Sequence, residues 1–100
     1  MLYVSGCIGV DRSIGTVTGC VSAQARQVME NMKAIIEAGG CSMSRVVKCT
    51  VLLADISTFA EVNAIYAEYF PENPPARACF AVLALPAGAL VEIDCVCLAD

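Results

Sequence analysis

Apolar residues along this chain follow two periods in turn, and each change of period marks an element. Residues 2–8, LYVSGCI, read as a strand that starts almost at the first residue. The turn-rich VDRSIG follows, and a short second strand fits TVT. Over residues 21–38 the period lengthens. Ala25, Val28, Met29, Met32, Ile35 and Ile36 recur at three- and four-residue steps, which predicts a helix with one apolar stripe. Gln24, Gln27, Glu30, Asn31 and Glu37 fall mostly off that stripe, and Gly39-Gly40 supplies a left-handed stop.

The period then returns to two. In VVKCTVLL, residues 46–53, Val47, Cys49, Val51 and Leu53 point one way, and Lys48 and Thr50 the other. A second helix opens at DIST, where Thr58 and Glu61 have the spacing of a capping box. Its stripe is Phe59, Val62, Tyr66, Tyr69 and Phe70, and Pro71 ends it. Asn63 lies on that apolar face, four residues after Phe59 and three before Tyr66. An amide there needs partners. A hydrogen bond in the core or to the sheet would satisfy it, and so would a place in the wall of a site.

Two further strands, ARACFAVLAL and ALVEIDCVCL, meet at Pro86-Ala87-Gly88, which predicts a hairpin. In the last strand Val91, Ile93, Cys95 and Cys97 share one face, and Glu92 and Asp94 share the other. The order β(β)αβαββ predicts an α+β sandwich in one domain. Both helices would cover one sheet face, leaving the second free to pack on another subunit.

Composition strengthens that last point. The chain is 58% hydrophobic and 16% charged, against about 45–50% and about 25% in average soluble proteins. A small globule cannot hide that excess alone, so an oligomer is expected. The longest uncharged run, residues 78–91, spans 14 residues and contains Pro86 and Gly88. A membrane-spanning helix needs about 20 apolar residues. The first residues carry neither the basic nor the long apolar region of a secretory signal. Net charge is −4, and the six basic residues are scattered rather than clustered. A nucleic-acid-tracking surface is therefore not expected.

Seven cysteines occur without a CxxC and without any histidine. Metal ligation is not expected from that pattern. The cysteines read as small buried hydrophobes in a reducing, cytoplasmic setting, with a mitochondrial form left open.

The chemistry worth weighing sits at the ends of the uncharged run. Arg77 opens it and Glu92 closes it. A hairpin around residues 86–88 would place Arg77, Cys79, Glu92 and Asp94 on one face, away from the helices. Arg77 and Glu92 would still be about four residues apart along the sheet, at about 3.3 Å per residue. They would meet only between subunits. Arginine offers a fork matched to a carboxylate, and a glutamate can orient or deprotonate a water. The pair reads either as a structural ion pair or as a site for a small anionic substrate attacked by water.

The stretch PPARACFAVLALPAGALVEID resembles the C-terminal signature of the RidA/YjgF family, roughly PARxxxxVxxLPxGxxVEIE. This family is also described as endoribonuclease L-PSP. The resemblance continues through VSGCIGVD, QARQVMENMKAIIEAGG and VVKCTVLLADISTFAEVNAIYAEYF, and covers essentially all of residues 1–100. It implies a chorismate-mutase-like subunit with a mixed sheet, in a homotrimer with a barrel-like core and a pocket at each interface. It implies cofactor-free hydrolysis of 2-imino or enamine acids to 2-oxo acids and ammonia. The alternative is a non-catalytic carboxylate-binding or stress-related interaction module.

Carried over by position, the resemblance implies that Arg77 binds the substrate carboxylate and Glu92 activates the water. Ala78 and Cys79 would line the pocket, Gly6 and Ser5 would approach from the first strand, and Asn63 would be a site-lining amide. A thiol near Arg77 is open to a lowered pKa, which would make Cys79 reactive; the other reading is a small pocket-wall filler. Members usually begin further upstream, with an extra strand and a Pro-Tyr segment that have no equivalent here. Cys7, Gly9 and Asp94 stand where the family has Gln, Pro and Glu.

Overall fold

A computed structural model describes residues 1–99. Its main elements are β1 (Leu2–Ile8), β2 (Val10–Asp11), β3 (Thr16–Val17), α1 (Val21–Ala38), β4 (Val46–Leu53), α2 (Phe59–Tyr69), β5 (Ala76–Ala81) and β6 (Val91–Cys97). The four long strands form one sheet in the order β1-β6-β4-β5, and β2-β3 make a separate two-stranded ribbon. β4 runs parallel to β5 and antiparallel to β6, and β1 runs antiparallel to β6. The sheet is thus mixed, and α2 is the crossover that the parallel pair needs. This is the α+β arrangement expected from the order of periods.

The core lies between the helices and one sheet face. Val28, Met29, Met32 and Ile36 of α1 are fully buried, as are Cys49, Leu53, Val91 and Cys97 of the sheet. Cys7, Cys49, Cys95 and Cys97 pack in this core as free thiols. No helix among the described residues is long and apolar enough to cross a membrane.

Several sequence expectations need correction. Ile35 is 41% exposed, whereas Gln24 is buried at 4%. Gln24 earns its place with two hydrogen bonds, Nε2 to the Gly19 carbonyl at 2.9 Å and Oε1 from the Leu90 amide at 2.9 Å. The capping box at Thr58 does not form. Asp55 caps instead, accepting from the Ser57 amide at 2.9 Å, while the Thr58 hydroxyl donates to the Asp55 carbonyl. Val47 is exposed because the β4–β6 register slips between Val46 and Lys48.

The largest correction concerns the last two strands. β5 stops at Ala81, and Leu83 beyond it is fully exposed. β5 and β6 do not pair as a hairpin, because β4 lies between them. The connection instead clips onto the end of β4, with the Val82 amide donating to Leu53 and the Ala54 amide donating to Leu90.

Candidate active site

Arg77 is the second residue of β5 and pairs with Cys49, which pairs with Cys95 of β6. Paired residues project from the same sheet face. Cys49 and Cys95 lie in the core, so Arg77 projects toward the helices, not toward the face that carries Glu92. The expected shared face is therefore wrong. The cause is topological: with β4 interposed, the parallel β4–β5 register sets the facing of β5.

On the helix side the Arg77 guanidinium lies 5.3 Å from the Phe59 ring centroid and 5.0 Å from that of Tyr66. Its Nη1 donates to Oδ1 of Asn63. The three partners sit at steps of four and three residues on one face of α2. That spacing explains the polar residue in the apolar stripe: Asn63 satisfies its carbonyl on the arginine. The rings offer their negative faces to the cation. Asn63, Tyr66, Phe70, Pro74, Pro75 and Arg77 line a cleft of about 380 Å³.

Tyr66 closes the inner end of this group. Its ring is buried and its hydroxyl has no hydrogen-bond partner. Burial pushes the phenol well above its ordinary pKa, the Cys49 thiol pushes it further, and Arg77 pulls weakly the other way. Cys79 follows on the same face, paired with Val51 and half-buried. Its thiol pKa is raised, because burial outweighs the opposing pull of Arg77. The expectation of a lowered, reactive thiol is thus reversed.

Glu92 occupies the other sheet face, in a row with Ile8, Leu52 and Phe80. Asp94 is in the next row with Thr50 and Ala78. Ser5 and Gly6 together oppose Asp94, since the β1–β6 register shifts between Val4 and Cys7. This bulge lets the Glu92 carboxylate lie directly over Gly6. Burial raises the neighbouring Cys7 thiol, and Glu92 and Asp94 raise it further. Ser5, Gly6, Ile8, Arg12, Asn31 and Ile35 border a second cleft of about 260 Å³. There the Asn31 amide holds the β1–β2 corner by donating to the carbonyls of Ile8 at 3.2 Å and Val10 at 2.9 Å.

The sequence-derived residues therefore form two groups. Arg77, Asn63 and Cys79 gather on the helix side of β5. Glu92, Ser5 and Gly6 gather on the opposite face near β1, and Ala78 lies on that face at the β5 edge. Arg77 and Glu92 are two strand spacings apart, roughly 10 Å at about 4.8 Å each, and a further roughly 10 Å apart along the strands, three residues at about 3.3 Å. Within one chain they do not meet. The sequence reading missed Phe59 and Tyr66 as site residues because their spacing is also that of a core stripe. Their signal was the polar Asn63 set between them.

Such a chain is a two-layer α+β domain with a cationic cleft on one sheet edge and a carboxylate on the face the helices leave open. Residues 1–99 match the family described as Endoribonuclease L-PSP, and the chain belongs to that family, which includes the RidA and YjgF proteins. The chain is 51% identical over 96 residues to the human 2-iminobutanoate/2-iminopropanoate deaminase, covering 95% of this chain and 70% of that protein. The crystal structure of RidA from an Antarctic Psychrobacter superposes with a TM-score of 0.92 at 44% identity, covering 95% of this chain and 77% of that one. The Escherichia coli TdcF structure with bound serine gives 0.93 at 34% identity, over 98% and 80% of the two chains.

Proposed function

We propose that this chain is a hydrolytic deaminase of 2-imino and enamine acids, such as 2-aminoacrylate and 2-iminobutanoate, working as a homotrimer. The observation that carries the reading is the state of Arg77. Its guanidinium is held by an amide and two aromatic faces, borders a cleft, and meets no carboxylate among the described residues. A cation held by neutral partners keeps its charge for an incoming anion. The name of the human relative and the serine bound to TdcF support a small amino- or imino-acid ligand.

The substrate carboxylate pairs with the Arg77 fork. Glu92 of a neighbouring subunit orients a water on the imine carbon and accepts its proton as the C–O bond forms. The resulting carbinolamine takes that proton back on nitrogen, and its O–H proton passes to the leaving nitrogen as the C–N bond breaks, giving ammonia and the 2-oxo acid; an enamine such as 2-aminoacrylate first shifts a proton from nitrogen to C3 to become the imine. One water is consumed and no redox change occurs, so the reaction calls on no cofactor. The main chain at Ala78 and Cys79, with Ser5 and Gly6, would flank the ligand, and Asn63 aims the guanidinium.

The uncovered sheet face fits burial against other copies. It carries Tyr3 and Phe80, exposed by 74% and 49%. The separation of Arg77 from Glu92 supports a site shared between subunits.

The test generates 2-aminoacrylate with a serine dehydratase and follows its lifetime. Wild-type protein should shorten it, and Arg77→Ala should lose most of that effect while keeping the oligomer. An unchanged lifetime with wild type, together with a rise in melting temperature on adding 2-oxobutyrate, would instead establish a non-catalytic carboxylate binder.

A further inference from the structure

We propose that Gly6 is the seat of Glu92: the absence of a side chain at residue 6 fixes where the water-orienting carboxylate lies. The catalytic consequence rests on the deaminase reading above, whereas the steric relation stands on geometry alone.

A Cβ placed on Gly6 would lie 2.5 Å from Oε2 of Glu92, 2.8 Å from its Cδ and 3.2 Å from its Cγ. The three nearest atoms all belong to this one side chain. The φ of Gly6 lies outside the left-handed region, so its backbone is open to any residue. Glycine is required here for the space it leaves to Glu92, not for its conformational freedom.

Gly9, on the same edge of the molecule, makes the contrast. A Cβ there would meet the Gln24 carbonyl oxygen at 2.8 Å and the Gln24 Cα at 3.2 Å. That obstacle is helix backbone, which cannot move without disturbing α1. At Gly6 the obstacle is the far end of a flexible, half-buried side chain. A methyl group at residue 6 therefore costs little stability but turns the carboxylate away from β1. Gly6 is a positioning residue that acts through Glu92. A displacement of about 1 Å at a reacting group can cost roughly 100-fold in rate.

The experiment is a double-mutant cycle of Gly6→Ala and Glu92→Ala, read by imine hydrolysis and thermal unfolding. Gly6→Ala should keep its melting temperature within a few degrees and lose roughly 10- to 100-fold in kcat, with KM within about twofold. In the Glu92→Ala background it should cause no further loss. Wild-type kcat in Gly6→Ala overturns the proposal. So does an equal proportional loss in both backgrounds, because Gly6 would then act on the substrate directly. If wild-type protein shows no hydrolysis, the deaminase reading has failed, and the crystal structure of Gly6→Ala decides the seat: a displaced Glu92 carboxylate supports it and an unmoved one overturns it.

Discussion

Arg77 stands directly opposite Cys49 in the parallel β4–β5 pair, so the cation of the candidate site projects from the same sheet face as a fully buried thiol. Glu92 projects from the other face. No rotation of either side chain brings the two to one small ligand within a chain. Each single variant, Arg77→Ala or Glu92→Ala, should therefore lose most of its activity as a homo-oligomer while keeping a measurable residue, yet the two should complement each other. In a randomly mixed head-to-tail ring, roughly a quarter of the interfaces join an intact Arg77 to an intact Glu92. Co-expressed variants should recover about that share of the wild-type imine-hydrolysis rate. No recovery would place both groups in one chain.

Phe59 and Tyr66 hold the guanidinium through their ring faces. Phe59→Leu keeps most of the volume and removes one face. It should raise KM about fivefold, corresponding to about 1 kcal/mol, with kcat nearly unchanged. Tyr66→Phe keeps the ring and deletes a hydroxyl that has no partner. Steady-state kinetics should show no change in KM for that variant, and unfolding should show equal or slightly higher stability.

Gln24 links the start of α1 to the segment that leads into β6. Gln24→Leu would leave the Gly19 carbonyl and the Leu90 amide without their partner. The expected loss is about 2 kcal/mol, read as a lower denaturant midpoint at unchanged slope. An unchanged midpoint would mean that water replaces both bonds.

The thiols set an alkaline limit on stability. Burial raises the pKa of Cys7, Cys49, Cys79, Cys95 and Cys97 above the unfolded value. Their contribution is complete below the unfolded thiol pKa of about 8.5 and is lost as pH rises toward the folded values. The melting temperature measured across this range under reducing conditions should fall progressively above about pH 8.5. Cys95→Ala should flatten that slope. A flat wild-type profile up to pH 10 would contradict the assigned burial.

Both helices, the long strands and the apolar faces of β4 and β6 were legible in the chain because side-chain period follows directly from backbone geometry. Asn63, Arg77 and Glu92 stood out for a related reason: each breaks or bounds an apolar pattern. The partner of a strand was not legible. Alternation tells which residues share a face, but the same alternation fits a β5–β6 hairpin and a β5 strand placed across β4. The connection after Ala81 decided between them through backbone hydrogen bonds at Leu53 and Leu90.

The residues by themselves determined the α+β class, the family and the unusual amide at Asn63, because these depend on local order and spacing. Tertiary structure alone decided that Arg77 faces the helices between Phe59 and Tyr66, that Glu92 rests on Gly6 across the opposite face, and that burial holds the Cys79 thiol above its ordinary pKa. Those relations depend on which strand lies beside which, and on how much solvent each group loses. Neither quantity is carried by any short stretch of the chain.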